Sequence, residues 1–352
     1  MRAITLIQSS ILTLSFCASA IAQQPLQKPD FPVDAAYRTK VIEGVSQKLG
    51  DGYFDAKIGN TIATQLSKKS VRSAYDTCAT AASLSTALTR DLQTWSHDRH
   101  VQVVFSVEPR PLQAKGSTDA DFAGGEGRNF GFFALTRFTG NVGYIEVGRF
   151  YPAALAGPTL QAVMQFVANT DALIIDLRQN GGGRADMVAL FASYFLNEQT
   201  KLATMERRDK SASDQIWSAS YVPGPKYLNK PVYILTSKRT FSGAEALAYD
   251  LKHFANATII GENTRGGANP GSFDQIDEHF AVFVPTARVV HASTGGNWDE
   301  KGIAPDVAVE AKDASRTALK LALQRLVAEK PGSNRFTMWK EALDDMFPTA
   351  TK

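Results

Sequence analysis

Residues 232–271 constrain this chain more than any other stretch, reading VYILTSKRTFSGAEALAYDLKHFANATIIGENTRGGANPG. The apolar run Val232-Tyr233-Ile234-Leu235 has the pattern of a buried strand. After a short polar turn, Ser242 stands immediately before an amphipathic helix. Ala244, Leu247, Ala248, Leu251 and Phe254 share that helix's apolar face. A second apolar run, Ala257-Thr258-Ile259-Ile260, then opens into a glycine-rich loop over 261–271. Strand, tight turn, serine and helix together place a hydroxyl beside free backbone N–H groups, which suits a nucleophile whose oxyanion must be held as it forms. Ser-Gly-Ala-Glu is also the S-x-x-E form of a capping box, with Ser242 as N-cap and Glu245 three residues on. Local pattern alone therefore does not separate a nucleophile from a cap.

The surrounding chain reads as alternating strands and helices, which argues for an α/β core. Strands are predicted at 101–107, 130–135, 142–147 and 172–177, with a hairpin turn at Thr139-Gly140-Asn141. Helices are predicted at 153–168 and 187–196. Near the end, 281–285 and 289–291 read as a hairpin, and 314–328 as a helix. The tail from 329 is expected to be weakly ordered apart from 338–347. Three apolar stripes between 33 and 95 predict a bundle of about three helices, with Tyr53-Phe54 as packing residues. Residues 109–128, polar and glycine-rich, read as a surface loop.

The N-terminus is a leader rather than part of the fold. Arg2, a mostly apolar run over 4–16 and Ala20-Ile21-Ala22 before Gln23 make a secretory signal peptide, cleaved near Ala22-Gln23. The mature chain is thus expected in the periplasm or secreted. Cys17 leaves with the leader, so Cys78 remains alone and no internal disulfide forms. A net charge of +3 without a basic cluster gives no reason to expect nucleic acid. No later run approaches the ~20 apolar residues of a membrane span. Without an H-E-x-x-H motif or a cysteine cluster, neither metal nor cofactor is expected.

Asn180-Gly181-Gly182-Gly183 follows a strand and precedes a helix, but fits neither common phosphate-loop pattern. It reads either as a flexible turn or as backbone N–H groups bared for an oxyanion. Of the five histidines, His253 lies inside the helix that Ser242 starts, three turns away, and His279 and His291 read as surface residues. His97 and His100 flank Asp98-Arg99 at the junction of bundle and core. A carboxylate beside them makes either a credible base.

Several blocks together resemble the tail-specific, or C-terminal processing, serine peptidases. Asp176-Leu177-Arg178-Gln179-Asn180-Gly181-Gly182-Gly183 resembles their D-L-R-x-N-x-G-G signature, and Thr240-Phe241-Ser242-Gly243-Ala244-Glu245 their nucleophile motif. Gly261-Glu262-Asn263-Thr264 with Gly266-Gly267 resembles their glycine loop, and Gly302-Ile303-Ala304-Pro305-Asp306 their closing block. Phe130-Gly131-Phe132 and Gly140-Asn141-Val142-Gly143-Tyr144 resemble the stretch opening their core.

The resemblance implies a serine endopeptidase of proteins or peptides, working through an acyl-enzyme at Ser242. Its implied fold is a helical bundle followed by a crotonase/ClpP-like α/β core. The expected layout is leader 1–22, helical domain 23–97, core 98–330 and tail 331–352, with no PDZ domain between 107 and 130. Where one branch of the family carries a dyad lysine, this chain has Gly267, and Arg265 cannot serve as a base. The expectation is therefore the style of the tricorn-core and retinoid-binding-protein-like branch. His100 would be the base, with Asp98 or Glu300 as its carboxylate partner. Gly243 with Gly182 or Gly183 would form the oxyanion hole, and Gly266, Gly267 and Asn269 would hold substrate. The alternative is a non-catalytic carrier of hydrophobic ligands on the same fold.

Overall fold

The computed structural model describes residues 29–111, 124–209 and 213–348. The predicted leader and most of the 109–128 loop lie outside the described residues. Four helices come first: α1 (Ala35–Gly52), α2 (Ala56–Ser67), the short α3 (Lys69–Ser73) and α4 (Ala81–Ser96). Each long one starts where a side chain takes an orphan N–H: Asp34 for Tyr37, Asp55 for Lys57 and Ile58, Thr80 for Ser83. Val41, Ile42, Val45 and Leu49 of α1 and Leu84, Leu88 and Leu92 of α4 meet at helical spacing in one cluster. His97, at φ 55°, ends α4.

The chain continues through β1 (Val103–Phe105), β2 (Phe132–Phe138), β3 (Val142–Val147), α5 (Ala153–Val167), β4 (Ala172–Asp176) and α6 (Ala185–Ser193). Next come β5 (Lys201–Arg207), β6 (Ser213–Trp217), β7 (Val232–Thr236), α7 (Gly243–Ala255) and β8 (Thr258–Gly261). The last elements are β9 (Gly271–Gln275), β10 (Phe280–Pro285), β11 (Ala287–His291), β12 (Val307–Ala308), α8 (Ala314–Glu329) and α9 (Phe336–Met346). This is an α+β fold with N-terminal helices and a mixed central sheet.

The central sheet has the order β12-β8-β7-β4-β3-β2, parallel except for the antiparallel β2–β3 edge. Period-two alternation sorts its residues onto two apolar faces. Leu173, Ile175, Val232, Ile234 and Ile259 pack with α5, α6 and α7. Ala172, Ile174, Tyr233, Leu235 and Ile260 pack with α8 and α9. The segment 338–347, excepted from the weakly ordered tail, lies almost wholly in helix α9, seated by Trp339, whose Nε1 donates to Asp171 at 3.1 Å. Asp176 lies opposite Leu235 in the β4–β7 register, so the loops leaving these two strands emerge side by side. In open α/β sheets the crevice at these carboxyl ends is where ligands are held.

One predicted pairing is corrected. The segments 281–285 and 289–291 are strands but do not form a hairpin: β10 pairs with β1 and β9, and β11 pairs with β5. Pro285 has no N–H to extend a ladder, and the N–H groups of Thr286 and Ala287 go to the Pro270 carbonyl. The chain thereby leaves one small sheet and enters another. β10 also closes the helical cluster, since Phe280, Val282 and Val284 are packed among the α1, α2 and α4 side chains.

Candidate active site

The turn between β7 and α7 is pinned to the turn after β4. Ser237 Oγ donates to Arg178 O (2.6 Å), Thr240 Oγ1 to Leu177 O (2.9 Å), and Phe241 N–H to Asn180 O (3.1 Å). The β4 turn is itself clamped. Asp176 takes the Arg178 guanidinium and the Tyr144 hydroxyl (2.7 Å), while Arg178 Nη1 donates to Ala311 O. The D-L-R signature therefore fixes the shape of this loop.

Ser242 sits at φ 54°, ψ −121°, a conformation sparsely populated by any residue with a side chain and unlike the extended backbone of an ordinary N-cap. Strain of about 1–3 kcal/mol at such a residue persists only where the surroundings over-determine it. Glu245 supplies that constraint. Its fully buried carboxylate accepts from Ser242 N–H (2.8 Å), Thr264 Oγ1 (2.5 Å), Gly266 N–H (2.7 Å) and Gly267 N–H (2.9 Å). Burial still outweighs these donors and pushes the Glu245 carboxyl above its ordinary value.

Gly182 and Gly183 face the serine. Both have positive φ, and a Cβ on Gly182 would lie 2.8 Å from Ser242 Cβ. Gly182 N–H is already taken by Asn180 Oδ1 at 2.7 Å. Among the described residues nothing accepts from Gly183 N–H or Gly243 N–H. Both unpaired groups border Ser242 at the positive end of α7.

His100, Asp98 and Asn269 come together on the other side of Phe241. The His100 ring lies against Phe241 (centroids 4.5 Å) and Phe283 (5.5 Å). A Cβ on Gly267 would sit 2.7 Å from the ring and 2.1 Å from Phe241, so only glycine lets the loop pass. Asp98, 1% exposed, accepts from His100 N–H (2.8 Å), Asn269 Nδ2 (3.0 Å) and Tyr53 hydroxyl (3.1 Å). Burial alone would raise its pKa, but the His100 and Asn269 donors outweigh this and hold it below the usual range.

Asn269 Nδ2 also donates to Asp299 Oδ2 (2.8 Å), while Ala268 N–H reaches Asp299 Oδ1 (3.0 Å). Burial, and then the charge of Asp98, push Asp299 up to about 6. Atoms of Asp98, His100 and Asp299 lie within 4.8 Å of one another, a spacing a cation could bridge; here the Asn269 amide bridges the two carboxylates.

Glu300 is elsewhere. At φ 61° it turns outward, exposed, onto an outer groove shared with His97 and Arg99. Asp299, one residue earlier, is the carboxylate that faces Asp98. His291, read from sequence as a surface residue, is 1% exposed and lies 3.3 Å from buried Asp250. Sequence reasoning also passed over Glu245 beyond its cap position, and the ring pair Phe241 and Phe283. A cavity of about 90 Å³ opens beside Ser242 and Gly243. Val188, Leu202, Met205, Ile216 and Val289 wall it, with Asp250 among its lining residues.

The description "Peptidase family S41" matches residues 141–309, and "N-terminal domain of Peptidase_S41 in eukaryotic IRBP" matches 36–123. The chain belongs to peptidase family S41. It is 28% identical over 144 residues to the carboxy-terminal processing protease CtpA of Bacillus subtilis, covering 41% of this chain and 29% of that protein. It is also 28% identical over 172 residues to the carboxyl-terminal-processing protease of Synechocystis sp., covering 48% and 38%. The S41 chain thus spans well under half the length of these relatives. A candidate peptidase from Parabacteroides merdae shares the fold at a TM-score of 0.56 and 16% identity, over 82% of this chain and 97% of that one.

Membership overturns one expectation. Family S41 characteristically uses a Ser–Lys dyad, so a Ser242–His100 pair in its place does not stand. In the structure no hydrogen bond joins Ser242 to His100, whose Nδ1 is 3.4 Å from Asp98 Oδ1 and satisfied by no partner. The S41 loop has Gly267 where the resemblance puts the dyad lysine. No lysine lines the cavity beside Ser242.

Proposed function

We propose that this S41 chain is a serine-type peptidase acting on protein or peptide substrates, with Ser242 as its nucleophile. The observation that carries this reading is the strained Ser242 backbone set between the unpaired N–H groups of Gly183 and Gly243. Ser242 Oγ attacks the scissile carbonyl carbon as its O–H bond breaks, and that proton is the one the departing amine nitrogen gains on collapse. The carbonyl oxygen becomes an oxyanion held by the two N–H groups, an arrangement worth about 3 kcal/mol per donor in related chemistry. Collapse breaks the C–N bond, the amine leaves with a proton, and water hydrolyses the Ser242 ester to release the acid.

Gly182 shapes the hole through Asn180 rather than donating to it. Gly266 and Gly267, locked by Glu245, form the wall along which substrate backbone lies, and Asn269 with Asp98 positions that wall. The helical unit over 23–97 caps a core over 98–330 of the crotonase/ClpP-like kind. The setting is extracytoplasmic, supported by the leader-like sequence before Gln23. Among the described residues no helix is long and apolar enough to cross a membrane.

Labelling with a fluorophosphonate probe tests the reading. Wild type takes the probe and Ser242→Ala does not. A folded wild type that stays unlabelled and hydrolyses no peptide refutes it.

A further inference from the structure

The cavity beside Ser242 has apolar walls and a carboxylate among its lining, and the mechanism above uses neither. Ser242, Ala246 and Asp250 succeed one another at four-residue steps, so they lie on one face of α7. All three line the cavity, together with Met205, Ile216 and Val289. Eight residues of helix place Asp250 about 12 Å beyond Ser242, with its side chain leaning back toward the helix start. The cavity therefore begins at the nucleophile and reaches toward a buried acid.

Asp250 is 5% exposed and lines the cavity. His291 Nε2 lies 3.3 Å from its Oδ1, outside ideal hydrogen-bond geometry. His291 is held edge-on to Tyr249 (4.8 Å) and beside Phe254 (4.9 Å), so it cannot swing closer without disturbing both rings. A buried carboxylate so poorly matched is costly unless something else completes its shell. An apolar side chain filling the cavity would strip water from Asp250 and give nothing in return. A side chain with an aliphatic stem and a cationic head would cover the walls and pair with the acid.

We infer that this cavity is the specificity pocket for the residue whose carbonyl Ser242 attacks, and that Asp250 selects a lysine-like side chain there. The inference rests on the peptidase reading for its orientation, since that reading puts the attacked carbonyl at the cavity mouth. The Met205, Ile216 and Val289 walls set the length of aliphatic stem that fits. Asp250 discriminates by being left with only its poorly aligned His291 contact when the head group is missing, the mechanism by which polar sites reject apolar analogues.

The test uses the full mature chain and two hexapeptide libraries, identical except for lysine or norleucine at one fixed position. Hydrolysis is read by mass spectrometry. Binding to Ser242→Ala is read separately by displacement of a fluorescent library member. Lysine should exceed norleucine by at least roughly tenfold in both readouts, and Asp250→Asn should bring the ratio near one. Circular dichroism checks that this near-isosteric variant is folded; the wild-type ratio needs no variant at all. A wild-type ratio near one, a preference for norleucine, binding of neither library, or a lysine preference that survives in Asp250→Asn overturns the inference. A Ser242→Ala protein that prefers lysine, from a wild type that neither hydrolyses nor takes a fluorophosphonate, sustains the pocket and removes the peptidase reading instead.

Discussion

Glu245→Gln is the most informative single change, because one carboxylate holds the serine turn and the glycine loop together. Its two oxygens serve four donors: Ser242 and Gly267 N–H on Oε2, Gly266 N–H and the Thr264 hydroxyl on Oε1. Glutamine keeps one oxygen and replaces the other with an NH2 that faces donors. If the amide turns toward Thr264, that hydroxyl can rotate, but Gly266 N–H is orphaned. If it turns the other way, Ser242 and Gly267 lose their acceptor. Each buried orphan costs about 1–3 kcal/mol, and the remaining bonds weaken as the charge is lost. Relief of burying a charge, visible in the raised Glu245 pKa, offsets part of this. The net expectation is a loss of about 3 kcal/mol, a large share of an ordinary domain's stability. Urea unfolding followed by tryptophan fluorescence measures it, and the fluorophosphonate labelling rate should fall at least roughly tenfold as Ser242 relaxes from its strained geometry. A variant within about 0.5 kcal/mol of wild type, labelled at the wild-type rate, would refute the view that Glu245 sustains the turn.

Three further outcomes follow from the same geometry. Asp299, with a folded pKa near 6 against an ordinary 3.8, favours the fold fully below its unfolded pKa and loses that contribution as pH rises through 6. Unfolding free energies at about pH 4 and about pH 8 should therefore differ by up to about 3 kcal/mol more in wild type than in Asp299→Asn. Gly183→Ala would put a Cβ 2.1 Å from the Phe150 carbonyl at φ 136°, so labelling should drop about 100-fold; an unchanged rate would remove Gly183 from the oxyanion assignment. Trp339→Ala should cost about 3–5 kcal/mol in urea unfolding while leaving the labelling rate of folded protein unchanged, because α9 packs on the far face of the sheet.

What the sequence disclosed follows from periodicity, and what it withheld follows from long-range packing. The β7–Ser242–α7 unit was readable because its strand alternates and its helix repeats within one short window. That the Gly182-Gly183 turn stands against Ser242 depends on β4 and β7 being neighbours, which no local spacing encodes. The carboxylate near Asp98 was misplaced by one position, since a positive φ at Glu300 turns that side chain outward and leaves Asp299 facing in. His291 looked like a surface residue because β11 was paired with β10. Seated against β5 instead, it is buried beside Asp250. Asp250 itself was hidden on the polar side of an amphipathic helix, a side that proved to line a cavity rather than to meet water.

The closure of the helical cluster by β10 has a consequence in time. Leu92 and its neighbours leave the ribosome about 190 positions before Val282, the residue that covers them. At roughly 5–20 residues per second, the first four helices wait about ten to forty seconds with one greasy side uncovered. Asp98 and His100 likewise meet Asn269 and Asp299 only after about 170 to 200 further residues have been added. The nascent chain therefore holds an unfinished cleft until β10 and the segment around Asp299 have been made, and the cluster around Asp98 is completed with these late segments rather than growing unit by unit.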